Sequence, residues 1–246
     1  MRRAVYDGIG RVYARHRRPD PRIAVQIARA LGDARTVVDV GAGTGSYEPV
    51  DARVVAVDPS PVMVAQRTDR APVVRAVAEH LPFGDGAFDA AMAVLTIHHW
   101  SDVAGGLCEM ARTARRVVVL TFDPVVHSSF WLFTDYLPEV NALPVARVVG
   151  PDVVADTIGA ARVEVVPVPA DCVDGFNWAY WRRPEAYLDP EVRACMSGLA
   201  LLPPGLVDER MARLASDLRD GSWHERHGDL LGLDAVDGGL RLVVRD

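Results

Sequence analysis

Residues 36 to 45, TVVDVGAGTG, run a short β-branched segment straight into three glycines at alternate positions. Few other stretches restrict the fold so much. The segment is apolar on both faces apart from Asp39, as a parallel strand covered on both sides must be. The loop after it needs Gly41, Gly43 and Gly45, since glycine tolerates left-handed backbone and lets a ligand come close to the main chain. Strand, glycine loop and helix together predict a sheet that binds its ligand at the carboxyl ends of its strands.

The rest of the chain repeats that grammar. Residues 22–31, RIAVQIARAL, place Ile23, Ile27 and Leu31 on one helical face, and Gly32 ends the pattern. Residues 53–57 (RVVAV), 73–77, 88–95 and 116–121 read as further strands. A helix at 61–67 starts behind Ser60, and another spans 103–114. A helix near 151–160, a strand near 162–168 and a terminal strand in GGLRLVVRD complete the pattern. The expected fold is α/β: a doubly wound, mostly parallel, seven-stranded Rossmann-like sheet with an antiparallel last strand. Residues 1–246 then form a single domain. Residues 124–150 are rich in aromatics and proline and fit neither period cleanly, while residues 170–235 carry the aromatic cluster FNWAYW and a helix over VDERMARLASDLRD. They read as lid insertions over the substrate pocket, or else as packing loops.

Composition removes several function classes. Hydrophobic residues make up 50% and charged residues 24%, a globular balance. Net charge is −6 and the basic residues are all arginine, so no basic field invites nucleic acid. Cys108, Cys172 and Cys195 are far apart and odd in number, which suggests neither a disulfide framework nor a metal site. No apolar run approaches membrane-spanning length, and the basic N-terminus lacks the apolar stretch of a signal peptide. A soluble, cytoplasmic protein without membrane or nucleic-acid partners is expected; oligomeric state is not legible.

The loop chemistry points to a nucleoside. A dinucleotide fingerprint needs a glycine where Ser46 stands, and no Gly-Lys-Ser/Thr makes a phosphate loop. Asp58 closes the second strand, where a carboxylate can accept from both ribose hydroxyls, a feature shared with NAD proteins.

VVDVGAGTGSYEP, then VVAVDPS, then AEHLPFGDGAFDAAMAVLTIHHW, resembles the class I S-adenosylmethionine-dependent methyltransferases. The likeness is greatest to the small-molecule branch that includes the ubiquinone-biosynthesis C-methyltransferases, and it is strong over residues 37–124. It implies S-adenosylmethionine as cofactor, no metal, and a small-molecule methyl acceptor. It further implies that Gly41, Gly43 and Gly45 cradle the amino-acid part, with Asp39 supporting the loop, and that Asp58 holds the ribose. Pro59 and Ser60 would lie beside the adenine, with Ala78 and Glu79 lining its pocket. Relatives often carry an Asp where Val77 stands, so adenine recognition here must use backbone or water. Residues 1–20 resemble a segment that folds over the cofactor, in which Tyr13 and Arg18 touch its carboxylate; a solvated arginine run is the alternative.

Two residues are candidates for the chemistry. His98 follows the fourth strand at the ligand edge and can act as base or orienting group, or simply pack; His99 matches a position with a packing role. Asp123 ends the fifth strand and either orients an acceptor or caps the next segment. His127, Trp131, Tyr136, Trp178, Tyr180 and Trp181 either wall an apolar acceptor pocket or form lid core. Methyl transfer to O, N or C of a small metabolite is the leading reading. The alternatives are an NAD-dependent oxidoreductase and a methyltransferase-like binding protein without catalysis.

Overall fold

In the computed structural model, residues 17–68, 71–143, 149–160 and 162–246 are described. Helix α1 (Pro21–Leu31) begins at Asp20, whose side chain accepts from the Arg22 amide, and ends at Gly32 in left-handed backbone. Strands β1 (Thr36–Val40), β2 (Arg53–Val57), β3 (Val73–Val74), β4 (Phe88–Val94) and β5 (Ala114–Phe122) follow, with α2 (Pro61–Val64) and α3 (Val103–Thr113) between them. After β5 come α4 (Pro124–Ser128), α5 (Pro151–Ile158), β6 (Arg162–Val165) and β7 (Val168–Pro169). Helices α6 (Pro190–Ala194), α7 (Ser197–Ala200), α8 (Pro204–Asp220) and α9 (Ser222–His227) precede β8 (Ala235–Val236) and β9 (Leu240–Arg245).

Seven strands form one sheet in the order β3-β2-β1-β4-β5-β9-β6. Neighbours from β3 to β5 pair in parallel, and β9 runs antiparallel to both β5 and β6. The expected sheet is therefore present, with β9 antiparallel in its interior. The chain leaves β1 toward β2 on one side and reaches β4 on the other. That reversal opens a crevice at the carboxyl ends of β1 and β4, where such sheets bind ligands.

Alternation along the strands feeds two cores. Val37, Ala90, Met92, Val118 and Leu120 share one core with α1 and the aromatic insertions. Val38, Val40, Ala91, Val117 and Val119 share the other with Leu107 and Met110 of α3 and Val154 and Ile158 of α5. Trp181 and Trp223 are fully buried in the first; truncating either to alanine costs about 3–5 kcal/mol.

Three expected elements are shorter than their patterns. Only Val73 and Val74 pair with Ala56 and Val57, so β3 stops before Val77. Helix α2 ends at Val64 and not at Arg67. The strand near 162–168 divides: β6 pairs with β9, while Val168 and Pro169 pair with β8 in a separate two-stranded sheet. Among the described residues, no helix is long and apolar enough to cross a membrane.

Candidate active site

The glycine loop is built as its spacing requires. Gly41, Gly43 and Gly45 have φ of 74°, 52° and 90°, all left-handed. The amides of Gly41 and Ala42 both donate to the Val57 carbonyl (2.8 and 3.1 Å), which joins the loop to the end of β2. A Cβ on Gly41 would overlap Oγ1 of Thr96, so the loop and the turn after β4 can meet only because that side chain is missing.

Asp58 is 7% exposed, and its carboxylate bridges two elements. Oδ2 accepts from the Gly43 amide and Oδ1 from the Ser60 amide, each at 2.8 Å. Ser60 then caps α2, its Oγ accepting from the Met63 amide at 3.3 Å, and half-buried Pro59 lies between the two. Asp39, 2% exposed on β1, lies between Ala56 of β2 and Met92 of β4. Burial, and then the nearby Glu48 carboxylate, push its carboxyl well above the usual range. Glu48 pairs with Arg67 at 2.6 Å, and an Arg67 Nη1 approaches the Gly43 carbonyl at 3.5 Å. With Asp39 pushed toward its neutral form and Glu48 paired to Arg67, the Asp58 carboxylate at the end of β2 is the acid left to meet a ligand beside the open backbone of the loop. The Asp58 carboxylate, fixed by the Gly43 and Ser60 amides at the end of β2, fits the ribose of S-adenosylmethionine.

Ala78 is buried and lies within 3.0 Å of where a Cβ on Gly106 would stand. Glu79 is engaged through one carboxylate oxygen with the turn after His99. Its Oε1 accepts from the amides of Ser101 and Asp102 (both 2.9 Å) and from the Ser101 hydroxyl (2.8 Å). Against the upward push of burial, these donors hold its carboxyl below the usual range. Glu79 therefore fixes the turn that starts α3.

A small pocket of about 30 Å³ opens beside the crevice, room for little more than water in this structure and well below the volume of a small-molecule site. Its apolar wall is Leu95, Phe122, Phe176 and Met196; its polar wall includes Arg17, His98, Asn177 and Ser197. Leu95 has φ +52°, an unfavourable conformation for a branched side chain, held while its amide donates to the Leu120 carbonyl at 2.8 Å. His98 and His99 form a short 3-10 turn with ring centroids 3.9 Å apart. Burial and then the neighbouring His99, His127 and Arg17 hold His98 well below the ordinary histidine range, so it is neutral at physiological pH. Its Nδ1 has no partner among the described residues.

Asp123 takes the capping position at the start of α4. Its Oδ1 accepts from the Val125 amide at 3.0 Å, and its Oδ2 from Arg241 Nη2 at 3.3 Å. From the turn it caps, His127 packs on Phe122 (4.6 Å between ring centroids) and its Nε2 meets Asn177 Nδ2 at 3.3 Å. His127 thus reaches the pocket wall through Asn177. Trp131, Tyr136, Trp178 and Trp181 are instead buried in the first of the two cores, and Tyr180 packs against it. The aromatic wall comes from Phe122 and Phe176.

Tyr13 lies outside the described residues, and Arg18 is exposed. Its neighbour Arg17 faces the pocket and pairs with buried Asp174 at 2.6 Å. Asp174 also accepts from the Tyr47 hydroxyl (2.9 Å), which in turn accepts from the Asp20 amide (3.2 Å). Tyr47, two residues past the glycine loop at φ +68°, so ties the loop, the front of the chain and residues 171–176 together. Sequence reasoning missed Arg17, Tyr47, Glu48, Arg67, Phe176 and Asn177. Tyr47 and Glu48 stood inside the quoted glycine motif, but their partners lie 127 and 19 residues away, respectively.

The chain is similar to known methyltransferases in sequence and in fold. Residues 38–122 match the family model described as a methyltransferase domain. The chain is 33% identical over 176 residues to the demethylmenaquinone methyltransferase of Mycolicibacterium paratuberculosis, an alignment that covers 65% of this chain and 76% of that protein. It is 37% identical over 126 residues to the enzyme of the same name from Corynebacterium kroppenstedtii; this match takes in 47% of the chain but only 54%, about half, of the relative. A crystal structure described as a methyltransferase from an antibiotic biosynthesis pathway of Anabaena variabilis superposes with a TM-score of 0.85. It is 33% identical, and the superposition covers 94% of this chain and 99% of that one.

Proposed function

The chain belongs to the class I S-adenosylmethionine-dependent methyltransferases, and on that footing we propose that it methylates a small, largely apolar metabolite held beside His98. The observation that carries this reading is the shared turn after β4. Thr96 of that turn lies against Gly41 of the glycine loop, while Leu95 and His98 on either side of it line the pocket. Donor and acceptor sites therefore meet at one short segment, as a displacement between two bound molecules needs. Family membership displaces the nicotinamide reading, which Ser46 already disfavoured.

Bound S-adenosylmethionine supplies the methyl group as a sulfonium, which becomes a neutral thioether when the methyl departs. The chain's residues set the geometry. Gly41, Gly43 and Gly45 leave room for the amino-acid end, Asp58 accepts from the ribose, and Asp39 with Glu48 and Arg67 shapes the field around the loop. Pro59, Ser60 and Ala78 flank the adenine, while Glu79 acts through the turn at Ser101 and Asp102. Residues 124–143 and 170–235 exclude water from the reacting atoms, while the covering role expected of residues 1–20 falls mostly outside the described residues. Neutral His98 is a hydrogen-bond acceptor for an acceptor hydroxyl, and Asp123 positions α4 and thereby His127.

The names of the relatives suggest where a search begins. An acceptor panel of quinols, phenols and apolar enols, each incubated with the protein and S-adenosylmethionine, is read by mass spectrometry for the gain of one methyl group. A methylated member that disappears in Gly41→Val supports the reading. No methylation across a broad panel by a folded protein that binds the cofactor would favour the non-catalytic alternative.

A further inference from the structure

The seven-stranded sheet ends at β6. Among the described residues, β6 has β9 on one flank and no strand on the other. Its register with β9 fixes which backbone groups face the open flank. Val166, just past β6, donates its amide to the Leu240 carbonyl at 3.0 Å, so these two residues form a hydrogen-bonded pair in that register. Because such pairs alternate along an antiparallel ladder, Glu164 with Leu242 and Arg162 with Val244 are hydrogen-bonded pairs as well. The amides and carbonyls of Val163 and Val165 therefore point away from β9.

The side chains do little to protect this edge. Val163 and Val165 are 41% and 50% exposed. Edges that must stay single carry lysine, an early proline, a bulge or a cover. Here the charges within β6 are Arg162 and Glu164, which share one face, pair at 2.7 Å and stay 38% and 48% exposed. Arg162 also pairs with Asp246.

We propose that two copies of this chain associate through β6, antiparallel about a two-fold axis at Val163, so that their sheets become continuous. Charge and backbone select that register. Centred on Val163, Arg162 of each copy lies directly opposite Glu164 of the partner subunit, and Val163 exchanges both backbone hydrogen bonds with its own counterpart. The Arg162–Glu164 positions are then non-hydrogen-bonded pairs, where facing side chains come closest. Together with the pair inside each strand they make a square of alternating charge. Centring on Arg162 or on Glu164 would set like charges against each other. Centring on Val165 would place Pro167 at a hydrogen-bonded position opposite Val163, and proline has no amide to give. The inference is independent of the methyltransferase reading, since β5 and β9 stand between β6 and the crevice at β1 and β4.

The strand has only four residues, so the contact is small and the expected dimer is weak. Sedimentation of the full chain over the micromolar to submillimolar range should show a monomer–dimer equilibrium. Arg162→Glu or Glu164→Arg turns two attractive cross-strand pairs into repulsive ones, and each should weaken self-association by at least about tenfold. An equimolar mixture of the two variants sets opposite charges across the strands again and should restore association. A chain that stays monomeric throughout overturns the proposal. So does a dimer that neither substitution weakens, or a mixture that associates no better than its components.

Cross-linking tests the axis without altering the charges. Cys108 is exposed, so the background is Cys108→Ser. In that background two copies of Val163→Cys would have Cα atoms about 5.5 Å apart, within the span of about 4.4–6.8 Å that a disulfide bridges. The counterparts of Val165→Cys would lie about 13 Å apart, too far to bridge. Rapid oxidative cross-linking at 163 and none at 165 is the expected result. No cross-linking at 163, or equal cross-linking at both positions, overturns the proposal. If a charge variant fails to fold, the cysteine pair decides alone.

Discussion

Replacing Tyr47 by phenylalanine removes one oxygen and leaves the ring and its left-handed backbone in place. That oxygen makes two buried contacts: it donates to the Asp174 carboxylate at 2.9 Å and accepts from the Asp20 amide at 3.2 Å. Burial, and then the Asp174 charge, raise its own pKa far above the ordinary tyrosine value, so the hydroxyl stays protonated and always donates. A hydrogen bond to a charged group contributes about 1.5–3 kcal/mol, and a buried amide left without a partner costs about 1–3 kcal/mol. Arg17 still holds Asp174 in the variant, which offsets part of the first loss. A net destabilisation of about 2–4 kcal/mol follows. Chemical denaturation should show the midpoint falling while the slope stays constant, because the surface exposed on unfolding does not change. A double-mutant cycle with Asp174→Asn should return a coupling of more than about 1 kcal/mol. A loss below about 0.5 kcal/mol together with additive single effects would refute the idea that Tyr47 ties the glycine loop to residues 171–176.

Other perturbations reach different parts of the site. Asp58→Ala deprives the Gly43 and Ser60 amides of their acceptor and should weaken S-adenosylhomocysteine binding by about tenfold to a hundredfold in calorimetry, with the fold retained. Gly41→Ala places a methyl group on Thr96 in left-handed backbone, which costs about 1–2 kcal/mol from φ alone; adding Thr96→Gly should restore part of the lost affinity and leave that strain. Burial holds His127 and His99 down to about 4, against an ordinary 6.5. Between those values the unfolded chain binds protons that the native state does not. Stability should therefore be full above about pH 6.5 and fall as pH drops toward 4, by up to about 1.4 kcal/mol per pH unit for each histidine. His127→Asn should flatten that slope in a pH series of thermal or denaturant unfolding.

The strands were legible because a parallel strand covered on both faces has to be apolar along nearly its whole length, as VVDV is apart from Asp39 and VVAV is after Arg53. The glycine loop was legible because no other residue takes three left-handed positions so close together. What failed to show in the sequence is what depends on distant partners. Arg17 and Arg18 are equivalent as letters; Asp174, 157 residues away from Arg17, decides which of them faces inward. Asp123 before a proline reads equally as a functional acid or as a helix cap, and the Val125 amide with Arg241 of β9 favours the cap. Aromatic residues are enriched in pocket walls and cores alike. Trp131 packs on Tyr136, Tyr187 and Trp223, and Trp181 donates to the Val168 and Pro169 carbonyls, so both sit in the core while Phe122 and Phe176 remain on the pocket.

The central claim is that the glycine loop and Asp58 hold S-adenosylmethionine. Calorimetric titration of the folded chain with S-adenosylhomocysteine, with NAD in parallel, tests it most directly. Micromolar or tighter binding of S-adenosylhomocysteine and no binding of NAD is the predicted result. No heat from S-adenosylhomocysteine in a protein shown to be folded, or binding of NAD in its place, would contradict it.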